Sequence, residues 1–259
     1  MKIVIAQMPV AQGNPEKNFQ TISSIVEKAK SEAASLVVFP ELCLSGTIVG
    51  DAFFRKSFVD ECLEKGNAIA SLTSGIDILF GNIAKENNEL YNAAYYASQG
   101  CFLKLSKQAG KELSFLSKNI LKGSRASRYF SSPCLENIYY PEIQGKLKVG
   151  ISISENLDDL EQVASSLLNE KNVVIHLASD FYEIGKHKEL SRKCKHISEK
   201  FETSVLYINA SGVLNEGKNV YALEGCSLVF KNGKILDKAP FLKEALLIFD
   251  SENAAINSE

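Results

Sequence analysis

The chain has 259 residues, 45% apolar and 23% charged, with a formal net charge of −2. That balance is close to the globular average and supplies a sizeable core; it lacks the basic excess of a nucleic-acid binder, so no nucleic-acid partner is expected. No apolar run approaches the length of a bilayer span, so no membrane association is expected.

The first segment, Lys2 to Gln7, is β-branched and alternating, and predicts a strand. Gln7 and Pro9 interrupt the apolar run, which argues against a secretory leader. Asn14-Pro15-Glu16 is a helix start, with Asn14 as cap, Pro15 at the first helical position and apolar residues from Phe19 to Ala29 at helical spacing. Ser35 to Phe39 reads as a short buried strand, Phe53 to about Leu72 as a second amphipathic helix, and Ile76 to Gly81 as another strand. "LYNAAYYA" and "CFLKLS", joined at Ser98-Gln99-Gly100, predict an antiparallel hairpin. Residues 107 to 132 have no clean period and read as a long loop with a helical turn.

A strand running to Ser154 follows, then a helix (Asp158 to Leu168), a strand (Asn172 to Leu177) and a helix (Gly185 to Lys200). Further strands are expected at Ser204 to Asn209, Gly225 to Phe230, Lys234 to Asp237 after the Asn232-Gly233 turn, and Ala245 to Phe249. Strands alternate with helices in both halves, which predicts an α/β domain with a mixed sheet and helices outside.

Three chemistry-bearing residues share one kind of position. Glu41 follows "VVFP", Ser154 ends "VGISIS", and Lys107 follows "CFLKLS". Taken singly, each has a plainer role as a turn or solvent-facing residue. Together, at strand ends where α/β ligands gather, they make a candidate site.

Six motifs carry a resemblance: "VVFPELCLSG", "LYNAA", "SKQ", "RYF", "KVGISISEN" and "SDFYEIGK", in that order. They resemble the carbon–nitrogen hydrolase (nitrilase) superfamily. "GDAFFRKSFVDEC" and "ALEGCSLVFKNGKIL" are similar in particular to the glutaminase domains of glutamine-dependent NAD synthetases. The resemblance implies an α-β-β-α four-layer sandwich over residues 1–250, with 251–259 as a polar tail. It implies cleavage of amide or nitrile carbon–nitrogen bonds with a glutamate base, a lysine that stabilises the oxyanion and a cysteine nucleophile, with no cofactor and no metal. By position these become Glu41, Lys107 and Ser154, so serine stands where the family has cysteine. Substrate contacts fall on Glu155, Ser179, Phe181 and Tyr182.

Other departures accompany Ser154. Ala126, before "RYF", occupies the place of an accessory carboxylate, for which Glu112 is a spatial substitute; "SDFYEIGK" carries one extra residue relative to the family. A thiol is a few per cent ionised at neutral pH, whereas a serine hydroxyl needs a strong base. The expectation is a degenerate site and a weak or inactive amidase. The alternatives are a working hydrolase using Ser154, a designed Cys-to-Ser form of an active glutaminase, and a non-catalytic structural or binding subunit. A designed change accounts for Ser154 alone and leaves Ala126 and the altered loop unexplained. The partners implied are a small amide such as glutamine, an NAD synthetase on a separate chain, and further copies of this chain in a homo-oligomer.

Residues outside that constellation have simpler readings. The six cysteines (Cys43, Cys62, Cys101, Cys134, Cys194, Cys226) lack zinc-site spacing and are expected as free thiols in a cytoplasmic protein. Cys43 and Cys226 read as core, and His187, Cys194 and His196 as members of one ordinary helix whose basic run forms a solvated face.

Overall fold

A computed structural model describes residues 1–153, 157–168 and 170–252, apart from the side chain of Glu216. Ser154 and Glu155, and the tail over 253–259, lie outside the described residues. The first half contains β1 (Lys2–Gln7), α1 (Pro15–Ser31), β2 (Leu36–Val38), a 3₁₀ turn (Gly50–Phe54), α2 (Lys56–Ala70), β3 (Asp77–Glu86), β4 (Glu89–Ser98) and β5 (Cys101–Phe102). The middle contains β6 (Ser106–Gln108), β7 (Lys111–Leu113), β8 (Leu116–Ser117), a second 3₁₀ turn (Arg125–Arg128), β9 (Asn137–Ile138) and β10 (Glu142–Ile143). Then come β11 (Leu147–Ser152), α3 (Asp158–Ser166), β12 (Asn172–Ala178), α4 (Lys186–Lys200), β13 (Ser204–Asn209), β14 (Ser211–Glu216), β15 (Asn219–Glu224), β16 (Leu228–Lys231), β17 (Lys234–Lys238) and β18 (Ala245–Asp250).

Two mixed sheets form the centre. One runs β18-β1-β2-β3-β4-β5 with β8 added to β4, and the other runs β10-β11-β12-β13-β16-β17. β1, β2 and β3 are parallel neighbours, as are β11, β12 and β13. Alternation along the strands separates three cores. Ile3, Ile5, Leu36 and Val38 of the first sheet meet Val149, Ile151, Val173 and Ile175 of the second in an inner core. Val4, Ala6 and Val37 turn the other way, onto Ile22, Val26 and Ala29 of α1. Val174, Val205 and Tyr207 pack on Leu160 of α3 and on Leu190, Cys194 and Ile197 of α4. Helix, sheet, sheet, helix is therefore the layer order, as expected.

The predicted helix start is realised: Asn14 Oδ1 accepts the Lys17 N–H at 3.0 Å, with Pro15 at the first helical position. The region expected as a loop over 107–132 is different. It folds as a β6–β7 hairpin through Ala109 and Gly110, both at positive φ, followed by β8. This hairpin moves Lys107 away from the candidate site and brings another lysine in.

Candidate active site

Glu41 sits in the turn after β2 and is 5% exposed. Its backbone N–H donates to the Ala178 carbonyl at 3.3 Å, tying this turn to the end of β12 in the other sheet. The next residue, Leu42, has φ of 48°, a conformation that costs energy and persists where surrounding contacts enforce it. Gly81 of β3 is one such contact. A Cβ there would lie 2.5 Å from Glu41 Cα and 2.7 Å from the Pro40 carbonyl oxygen. Gly81→Ala is therefore expected to lower stability by about 1–3 kcal/mol, the usual cost of overpacking, because backbone atoms cannot swing aside. Urea unfolding measures this, and an unchanged midpoint would show that the turn yields.

The lysine facing Glu41 is Lys118. Its Nζ donates to Glu41 Oε1 at 2.7 Å, and both side chains are almost fully buried. Asn92 Nδ2 donates to the same oxygen at 2.6 Å, while the Asn92 carbonyl accepts the Lys118 backbone N–H at 2.7 Å. β8 makes this possible, pairing Ser117 with Ala93 of β4. Asn92 thus fixes carboxylate and lysine together, and both donors converge on Oε1.

Lys107 does not join them, which corrects the sequence-based expectation. It lies in β6 opposite Glu112 and Asn137, and its Nζ is 3.8 Å from Glu136 Oε2. Glu112 is exposed on the same hairpin and does not line the cavity beside Glu41, so it replaces no carboxylate there. The tripeptide Leu-Ser-Lys occurs twice, at 105–107 and 116–118. The first copy follows the hairpin directly and attracts the assignment. The usable signal was the apolar Phe115-Leu116 before the second copy, a short strand able to pair with "LYNAA".

Glu41, Asn92 and Lys118 line a cavity of about 390 Å³. Its apolar walls include Leu42, Phe53, Tyr129 and Phe130; Ala126 also faces it. Ser179 and Phe181 line it, with Ser179 Oγ 2.5 Å from Thr47 Oγ1. Tyr182 does not line it: the ring is half exposed and packs edge-on against Phe241, 5.3 Å between centroids. The residue missed at this wall is Asp180, paired with Lys186.

The strand leading toward Ser154 is held from below. Ser152 Oγ lies 3.0 Å from His176 Nδ1 across the β11–β12 register, and the His176 ring stacks on Tyr207. Burial pushes His176 down to about 4, so the ring is neutral at physiological pH. Cys43 is core, as expected, its thiol pushed up to about 12 by burial.

The sequence and the fold are similar to those of known proteins. A family profile described as carbon–nitrogen hydrolase matches residues 2–256. This chain belongs to the carbon–nitrogen hydrolase family. Within it, a glutamine-dependent NAD(+) synthetase from Synechocystis sp. is 25% identical, over 99% of this chain and 48% of its own length. One from Acinetobacter baylyi is 26% identical over 95% of this chain and 43% of its own length. The solved glutamine-dependent NAD+ synthetase of Acinetobacter baumannii, in complex with ADP, superposes with a TM-score of 0.81 at 25% identity, covering 98% of this chain and 46% of that one. The chain thus spans less than half the length of these synthetases. An amidase from Nesterenkonia sp. shares the fold, with a TM-score of 0.77 at 17% identity over 96% of this chain and 89% of its own.

Behind the cavity wall of this family member, Glu224 is 2% exposed; its Oε1 and His187 Nδ1 make no hydrogen bond among the described residues and belong to groups 3.7 Å apart. Burial, then the nearby Asp180 charge, raises the Glu224 carboxyl to about 7. A folded-state pKa above the unfolded value means that this group favours the fold fully below about 4.5, and that the contribution is lost as pH rises through about 7. Glu224→Gln is expected to exceed the wild type by less than about 1 kcal/mol near pH 5 and by about 2–3 kcal/mol at pH 8. Denaturant midpoints at the two pH values test this; a variant equally destabilised at both would show that the ionised carboxylate is well accommodated.

Proposed function

We propose that this chain is a small-carboxamide-binding member of the carbon–nitrogen hydrolase family whose hydrolytic step is slow or lost. The observation that carries the proposal is the buried Glu41–Lys118 pair on the wall of a cavity whose size suits a small ligand. A carboxylate and an ammonium held against an enclosed space are the groups that accept a nucleophile's proton and stabilise a developing oxyanion.

The slow step follows from Ser154, which the resemblance aligns with the nucleophilic cysteine. A carboxylate is a poor base for a hydroxyl, and loss of a competent nucleophile costs up to ~10⁶ in rate in other hydrolases. Ala126 adds to the deficit, because an apolar methyl faces the cavity where the resemblance places a carboxylate.

Calorimetric titration with glutamine and with uncharged aliphatic amides, run beside ammonia detection, tests the proposal. Binding without appreciable turnover is expected. Turnover near ~1 s⁻¹, within the ordinary enzyme range, would instead establish a hydrolase working through Ser154. The proposal also includes the homo-oligomer and the synthetase partner that the resemblance implies. A monomer mass by light scattering at micromolar concentration would remove the first, and failure to co-purify with a synthetase the second.

A further inference from the structure

The geometry points to Asp180 as a charge filter that makes this cavity select uncharged carboxamides over anionic ones of the same length. This inference rests on the carboxamide-binding proposal and narrows its ligand class.

Lys186 also lines the cavity and, with Lys118 committed to Glu41, is the cation that would receive a ligand carboxylate. Its Nζ is already 3.0 Å from Asp180 Oδ1. Asp180 cannot swing away to release it. Tyr207, fully buried, donates its hydroxyl to Asp180 Oδ2 at 2.7 Å. The Asp180 backbone is clamped by one side chain: its N–H donates to Asn209 Oδ1 at 2.8 Å, and its carbonyl accepts from Asn209 Nδ2 at 3.3 Å. Burial alone would raise the Asp180 carboxyl, but the Lys186 ammonium and the Tyr207 hydroxyl outweigh it and hold the group below its ordinary value. Asp180 is therefore a fixed anion over the physiological range.

Among the described residues, the acidic groups lining the cavity are paired. Glu41 answers Lys118, and Asp180 answers Lys186. Arg125 also lines the cavity, but it is exposed, shared with a neighbouring depression beside Asp51 and Arg128, and engaged in an interaction of its own. A ligand carboxylate reaching Lys186 must displace or sit against the fixed, part-buried Asp180 carboxylate, and like charges brought together at a binding surface are unfavourable. An alkyl chain meets Leu42, Phe53, Phe130 and Phe181 at no such cost.

The test compares valeramide with glutaramate, two five-carbon monoamides that differ in the terminal carboxylate. Calorimetry on the unmodified protein is expected to show glutaramate binding at least about tenfold more weakly. Asp180→Asn keeps an acceptor for Tyr207 and removes the charge; it should erase or invert the preference, read as the ratio of the two affinities in the same variant. Lys186→Met, a second variant, should widen the ratio further against glutaramate. Glutaramate binding as tightly as valeramide to the unmodified protein would overturn the filter and leave the carboxamide proposal standing. An Asp180→Asn protein that folds, by circular dichroism, and still rejects glutaramate would also overturn it. Failure of both amides to bind the folded, unmodified protein would defeat the carboxamide proposal itself.

Discussion

Lys118→Ala is expected to cost about 3–5 kcal/mol of stability, against less than about 1 kcal/mol for Lys107→Ala. The two lysines occupy copies of the same Leu-Ser-Lys tripeptide, so the contrast isolates environment from chemistry. Among the described residues, removing Lys118 leaves Glu41 buried with Asn92 as its remaining side-chain donor and a charge without its counter-ion. Removing Lys107 breaks a 3.8 Å pair in which both partners are a third or more exposed. In thermal unfolding the first change corresponds to a shift on the order of 10 °C for a chain of this size, and the second to a few degrees at most. Glu41→Gln should restore part of the loss in the Lys118→Ala background, since the orphaned charge is then gone. Equal effects of the two lysine substitutions would mean that the Glu41–Lys118 pair is not the buried ionic centre of the site.

The outer architecture was legible because its signals are local. The β-branched run at Lys2–Gln7, the Asn14 cap and the Asn232-Gly233 turn each determine an element with no help from the rest of the chain. Glu41 was legible for a related reason: a buried strand ending in Phe39-Pro40 has to present its next residue at the strand end. Lys118 was not, because its position depends on β8, two residues long, pairing with a strand more than twenty residues earlier. Propensity says nothing about so short a strand; its partner selects it. Asp180 was hidden in the same way. In sequence it is one acid in a polar stretch, and only the fold brings Tyr207, Asn209 and Lys186 around it. The β14–β15 hairpin has no signal in the sequence: Asn215, Glu216, Lys218 and Asn219 are polar, and Val213 and Val220 are 65% and 69% exposed, so no buried face announces it.

Ser154→Cys is expected to raise ammonia release from an uncharged amide such as valeramide by at least ~100-fold over the unmodified chain, since the thiol is partly ionised and intrinsically more nucleophilic. Ser154 lies outside the described residues, but β11 leads to it, and Glu41 and Lys118 are already in mutual contact on the cavity wall. Base and oxyanion partner therefore need no rebuilding. The gain should vanish in the Ser154→Cys, Glu41→Gln double variant, because a neutral amide cannot take the thiol proton. With glutamine the single variant should stay well below ~1 s⁻¹. Ala126 leaves the cavity without the carboxylate that the resemblance assigns to positioning, and a misplacement of about 1 Å costs ~10²-fold even when every reacting group is present. Steady-state ammonia assays with both amides separate the outcomes. Robust glutamine turnover in the single variant would show a site otherwise intact, and the degenerate reading would give way to a recently lost cysteine. No gain with any amide, in a variant that still binds valeramide, would show that Glu41 and Lys118 hold the ligand without serving a nucleophile at position 154.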